Sequence, residues 1–72
     1  MKVDVWAQGY RTNGDSGSAH FWGSVEAEDL AGACKILASV DNQFKKNFEP
    51  ERMTWWGCRL FDNETDARKT FG

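Results

Sequence analysis

The chain has one proline, one histidine and two cysteines among its 72 residues, and each scarcity excludes a class of protein. A domain this small that depended on crosslinks would usually carry two or more disulfides, so Cys34 and Cys58 are expected as buried, reduced thiols. Together with His20 they offer neither a Cys-x-x-Cys nor a His-x-x-x-His pair, the close spacing from which a four-ligand zinc site is built. Long apolar runs are missing too. Asp4 interrupts Met1-Lys2-Val3-Asp4-Val5-Trp6, where a signal peptide would need unbroken apolar residues, and nothing elsewhere approaches membrane-spanning length. The expected location is the cytoplasm, with no membrane contact. Charge of one sign is lacking as well: nine Lys and Arg against eleven Asp and Glu leave a net of -2. That balance disfavours a dedicated duplex-DNA or anionic-membrane binder, whose affinity would come from neutralising phosphates.

What is present belongs to a folding sequence, 40% apolar and 14% aromatic. Residues 1–72 suffice for a single domain. Lys2 to Tyr10 alternates, with Val3, Val5 and Ala7 on one side and Asp4, Trp6, Gln8 and Tyr10 on the other, the period of a half-buried strand. Arg11 to Gly17, with its Asn13-Gly14 pair, supplies the residues of a hairpin turn. Ser18 to Val25 alternates again, which assigns Ala19, Phe21 and Val25 to one face and Ser18, His20, Trp22 and Ser24 to the other.

Glu26, Glu28 and Asp29 oppose the positive end of a helix dipole, and Leu30, Ala33, Cys34, Leu37 and Val40 recur at helical spacing. Gln43 to Glu51 reads as a loop pinned by Phe44 and Phe48, with Pro50 pushing Glu49 towards an extended conformation. Arg52 to Phe61 reads as a third strand, with Thr54, Trp56, Cys58 and Leu60 inward and Met53, Trp55, Gly57, Arg59 and Phe61 outward. Asp62 is placed to cap a short helix to about Phe71. The expected fold is α+β in the order ββαβα: a three-stranded antiparallel sheet packed on one helix, with a short C-terminal helix at its edge or over its other face.

Familiar catalytic patterns are absent or incomplete. Gly14-Asp15-Ser16-Gly17 has the letters that surround a protease serine, but such turns use these residues for their backbone geometry, and the chain is too short for the two-barrel scaffold. Asn13 and Asp15 lack the further carboxylates of a calcium loop, and no glycine-rich loop leads from strand to helix to cradle a phosphate. Arg59 could favour a Cys58 thiolate, but neighbouring strand residues point to opposite faces. No cofactor is expected.

The most informative feature is the sheet face away from the helix, where Trp6, Tyr10, His20, Trp22, Trp55 and Arg59, with Phe61, would gather. Exposed aromatic patches mark contact sites, and Trp, Tyr and Arg dominate binding hot spots. The expected function is a non-enzymatic protein-binding module that uses this face for a protein partner or for self-association. The same platform could stack single-stranded nucleic acid, although Asp4 and the negative net charge oppose it. A third reading is an enzyme whose site forms at a dimer interface from His20, Arg59 and Asp4.

Two stretches, Gly9 to Gly23 with Gly9-Tyr10 and Ser16-Gly17-Ser18-Ala19-His20-Phe21-Trp22-Gly23, and Trp56-Gly57-Cys58-Arg59-Leu60-Phe61-Asp62-Asn63-Glu64-Thr65-Asp66-Ala67-Arg68-Lys69-Thr70-Phe71-Gly72, resemble short uncharacterised proteins of bacterial, phage and mobile-element genomes. The resemblance spans nearly half the chain and implies no activity or site residue. In size and in lacking a catalytic motif the chain is also similar to the small proteins with which phages block host defences, such as anti-CRISPR proteins. The likeness suggests a modulator of a host protein.

Overall fold

The computed structural model describes the backbone of residues 1–10 and 16–72, and their side chains except at residues 9, 10, 16 and 17. The Asn13-Gly14 turn falls outside the described residues. On either side of it, β1 (Lys2–Tyr10) and β2 (Ser16–Glu26) pair antiparallel, with Lys2 opposite Glu26 and Val3 opposite Val25.

The pairing does not stay in step. Val5 faces Gly23 but Trp6 faces Phe21, so Trp22 is an extra residue on β2 and forms a β-bulge. Because side chains alternate with a period of two, one extra residue exchanges the faces of everything beyond it. Val25 lies on the side of Val3 and Val5 as expected, whereas Ala19 and Phe21 now share the opposite side with Gln8 and Trp6. His20, opposite Ala7, moves to the side of Val5.

Asp29 starts α1 (Leu30–Val40) by accepting a hydrogen bond from the Gly32 backbone N–H at 2.8 Å. The α1 stripe buries Ala33, Cys34 and Leu37, and Leu30 packs at its margin. Val40 departs from the expected stripe and is 75% exposed, because the helix ends there. Asp41 both stops and restarts the chain. Its backbone N–H donates to the Leu37 carbonyl, while its side chain accepts from the N–H groups of Gln43 and Phe44 at 3.0 and 3.1 Å. The expected loop from Gln43 therefore begins as a second helix, α2 (Asn42–Asn47), which buries Phe44 and carries Lys45 and Lys46 in its last turn.

The expected third strand is divided. A small meander replaces it: β3 (Phe48–Glu49), β4 (Thr54–Trp55) and β5 (Cys58–Arg59), paired in that order. Trp56 and Gly57 form the two-residue link from β4 to β5 with φ of 54° and 74°, and positive φ at both positions matches a type I′ turn. Phe61 then rejoins the main sheet. Its N–H donates to the Trp6 carbonyl and the Trp6 N–H donates to the Phe61 carbonyl, both at 2.8 Å. The class is α+β as expected, with the sheet split into the hairpin and the meander.

Asn63, not Asp62, caps α3 (Glu64–Phe71), accepting from the Asp66 N–H at 2.8 Å. Glu64 and Asp66 in the first turn and Arg68 and Lys69 in the last complement the helix dipole. Two apolar clusters result. The larger joins Val3, Val5 and Ala7 to Ala33, Cys34, Leu37, Phe44, Trp55 and Leu60; the smaller joins Ala19, Phe61 and Ala67, flanked by Trp6 and Phe71. The hairpin is thus a middle layer, with α1 and α2 on one side and α3 partly covering the other.

Candidate partner-binding surface

The bulge decides which aromatics remain at the surface. Trp6 and Phe21 face each other across the hairpin on the α3 side, with ring centroids 5.3 Å apart. Phe21 is 45% exposed and Trp6 is half-buried. Two guanidinium groups lie over rings of the same cluster. Arg68, from α3, is 5.8 Å from the Trp6 centroid, and Arg59, from β5, is 5.1 Å from that of Phe61. Each such contact at an exposed site is worth about 0.5–1 kcal/mol, enough to favour one side-chain position. Arg68 is also held by Glu64 one turn earlier, at 2.6 Å. Phe71 meets Phe61 edge to face at 5.7 Å and closes the covered end of the patch. At the open end Asp4 lies opposite Ser24, whose hydroxyl donates to the carboxylate at 2.6 Å.

Of the residues expected on this face, Trp6, Arg59 and Phe61 are present, Phe61 buried beneath its neighbours. Trp22 and Trp55, contrary to expectation, belong to the other side: Trp22 packs against the larger cluster, and Trp55 is fully buried within it. Their rings lie 4.7 Å apart, and Phe44 sits 5.7 Å from Trp22. The β4–β5 reversal turns Trp55 inward and leaves Trp56, expected in the core, 37% exposed. His20 is exposed but points to the α1 side, its ring edge-on to Trp22 at 4.7 Å. It therefore does not join Asp4 and Arg59 in a common site. The side chain of Tyr10 lies outside the described residues. Phe21 and Arg68 were not expected in the patch. An isolated glycine inside a strand, Gly23 beside Trp22, is the signal that points to the bulge and so to Phe21.

No group of three or more His, Cys, Asp or Glu side chains gathers among the described residues to hold a metal. Both cysteines are free thiols, in different settings. Cys58 is only half-buried, against expectation, and donates to the Gln8 side-chain oxygen at 3.0 Å. Cys34 is buried, and loss of solvent pushes its thiol from 9.0 up to about 12. A folded-state value above the unfolded one means that the protonated thiol's contribution is complete below pH 9 and is lost as pH rises towards 12. The melting temperature should fall across that window, and Cys34→Ala should remove part of the fall. An aromatic disulfide reagent at pH 8 should modify Cys58 well before Cys34; equal rates would contradict the burial.

Comparison with protein-family models, with curated proteins and with solved structures returns no match to this chain.

Proposed function

We propose that this chain is a non-enzymatic protein-binding module, a modulator of a host protein of the kind encoded by phages and mobile elements, and that its contact surface is the half-covered sheet face. The observation that carries this reading is Phe21, 45% exposed in the middle of a strand and backed by Trp6, with Arg59 and Arg68 stacked on the surrounding rings. An exposed aromatic beside Trp and Arg has the composition of a binding hot spot.

The test is affinity capture from a host-cell lysate with the wild type, Phe21→Ala and Arg59→Ala. Phe21 contributes little to the core, so Phe21→Ala should shift stability by no more than about 1 kcal/mol while losing the captured protein. Retention of the same protein by both variants would remove the face from the contact. The two arginines beside aromatic rings also favour a second reading, binding of single-stranded nucleic acid. It predicts quenching of Trp fluorescence by short oligonucleotides that weakens steeply with salt. Protein binding predicts an unchanged spectrum in the same titration.

A further inference from the structure

The two apolar clusters share no buried residue, and α3 enters only the smaller one. Ala67 is the one buried side chain of this helix, and Phe71 is half-buried against Phe61. The polar contacts of α3 are almost all its own. Asn63 bonds to Asp66 through both its side-chain oxygen and nitrogen, the Thr70 hydroxyl donates to the Asp66 carbonyl, and Arg68 pairs with Glu64. Among the described residues one hydrogen bond crosses from α3 and its C-terminal cap to the sheet, from the Ala19 N–H to the Gly72 carbonyl at 3.0 Å, and no ion pair crosses. The floor beneath is held by different bonds. Trp6 and Phe61 exchange two backbone hydrogen bonds at 2.8 Å, and Arg59 lies over the Phe61 ring from β5, none of which involves α3.

We infer that α3 is a displaceable cover: it leaves the sheet as one unit while the rest of the fold stays formed, and so regulates how much of the aromatic face a partner can reach. The regulatory half of this proposal rests on the protein-binding reading of the same face. Segments that open locally are those with few buried apolar contacts and few bonds to the remainder, and α3 meets both conditions. The larger cluster, where Trp55, Phe44, Val5 and Cys34 are fully buried, is the opposite extreme. Opening is all-or-none for the helix, because eight residues are too few to stay helical in water without the sheet. Its internal Glu64–Arg68 pair gives no resistance to release, since both partners leave together. With α3 in place the face offers Phe21 and part of Trp6. Once it leaves, Phe21, Trp6, Phe61 and Ala19 form one apolar surface on a hairpin whose own pairing is unchanged.

Native-state hydrogen exchange of the full chain, read residue by residue by NMR in low concentrations of urea, tests this directly. The α3 amides should be less protected than those of α1 by about tenfold or more, with a smaller dependence on urea, because less surface is exposed when they open. Ala19 is the sharpest marker. It lies within β2, yet its N–H is bonded to Gly72, so its exchange should follow α3 and not the strand. Trp55→Phe, which weakens the larger cluster, should speed the α1 amides by about fivefold or more and leave α3 and Ala19 unchanged. Ala67→Asp puts a charge at the one buried position of α3. It should abolish protection at α3 and Ala19, retain it in α1, and bind the apolar dye anilinonaphthalene sulfonate where the wild type does not. Equal protection and equal urea dependence in α3 and α1 overturn the cover, as does loss of α1 protection in Ala67→Asp; either result leaves protein binding at Phe21 standing. A captured protein indifferent to Phe21→Ala ends the binding reading, and with it the regulatory role, even where α3 opens alone.

Discussion

Trp55→Ala is expected to unfold the chain at ordinary temperatures or bring it close to doing so. Trp55 is fully buried, packs 4.7 Å from Trp22 and 6.5 Å from Phe44, and donates its indole N–H to the Phe44 carbonyl at 3.0 Å. It ties the meander to α2 and to the hairpin at one point. Truncating a buried Trp to Ala costs about 3–5 kcal/mol, whereas a 72-residue domain has about 4–11 kcal/mol in total at the usual stability per residue. Urea unfolding should therefore begin at or near zero denaturant in Trp55→Ala. Trp55→Phe keeps a ring in the cluster and loses the hydrogen bond, for a cost of about 1–3 kcal/mol, and should fold. The Phe44 carbonyl retains the Phe48 N–H as a partner, which holds the loss to the lower part of that range. A Trp55→Ala midpoint within error of the wild type would show that the meander does not depend on this residue.

The contrast with Phe21, whose truncation should leave folding almost intact, is the reverse of what alternation alone suggests. Period-two patterning identifies β1, the end of β2 and the antiparallel pairing, since nothing interrupts Lys2 to Val5 or Gly23 to Glu26. The α1 stripe and the short C-terminal helix were equally legible, because caps and helical spacing are local signals. Both departures in face assignment occur at a Trp-Gly pair. At Trp22-Gly23 the chain gains a bulge, and at Trp56-Gly57 it reverses direction. Each event shifts the parity of the residues around it, so Trp22 and Trp55 go inward while Phe21 and Trp56 come out. The glycines were visible in the sequence. What decides their effect is tertiary: Trp56 is a bulky residue held at φ 54°, a conformation it would not choose alone. Its N–H is fixed by the Asn47 carbonyl at 2.9 Å, a contact that exists only once α2 has formed. α2 was missed for a related reason, since Asp41 looks like the end of one helix and is also the cap of the next.

Gly23→Val should be the most damaging substitution outside the large side chains. Gly23 follows the bulge residue with φ of 155°, where a side chain is strained, and a Cβ there would lie 3.2 Å from the Leu37 Cδ1 atom. Leu37 is buried on α1, so the added atoms press directly on the contact that seats the helix on the hairpin. Backbone strain of about 1–3 kcal/mol adds to overpacking of about 1–3 kcal/mol. The sum, about 2–6 kcal/mol, can consume most of the domain's stability. Gly23→Ala carries the strain with a smaller clash and should fall between the wild type and Gly23→Val. Pairing Gly23→Ala with Leu37→Ala separates the two causes. Relief of overpacking would make the double variant more stable than the sum of the singles, whereas pure backbone strain would leave the effects additive. Additive losses would place the whole cost in the strand conformation, and with it the reason that the bulge, and so the exposure of Phe21, is fixed at this position.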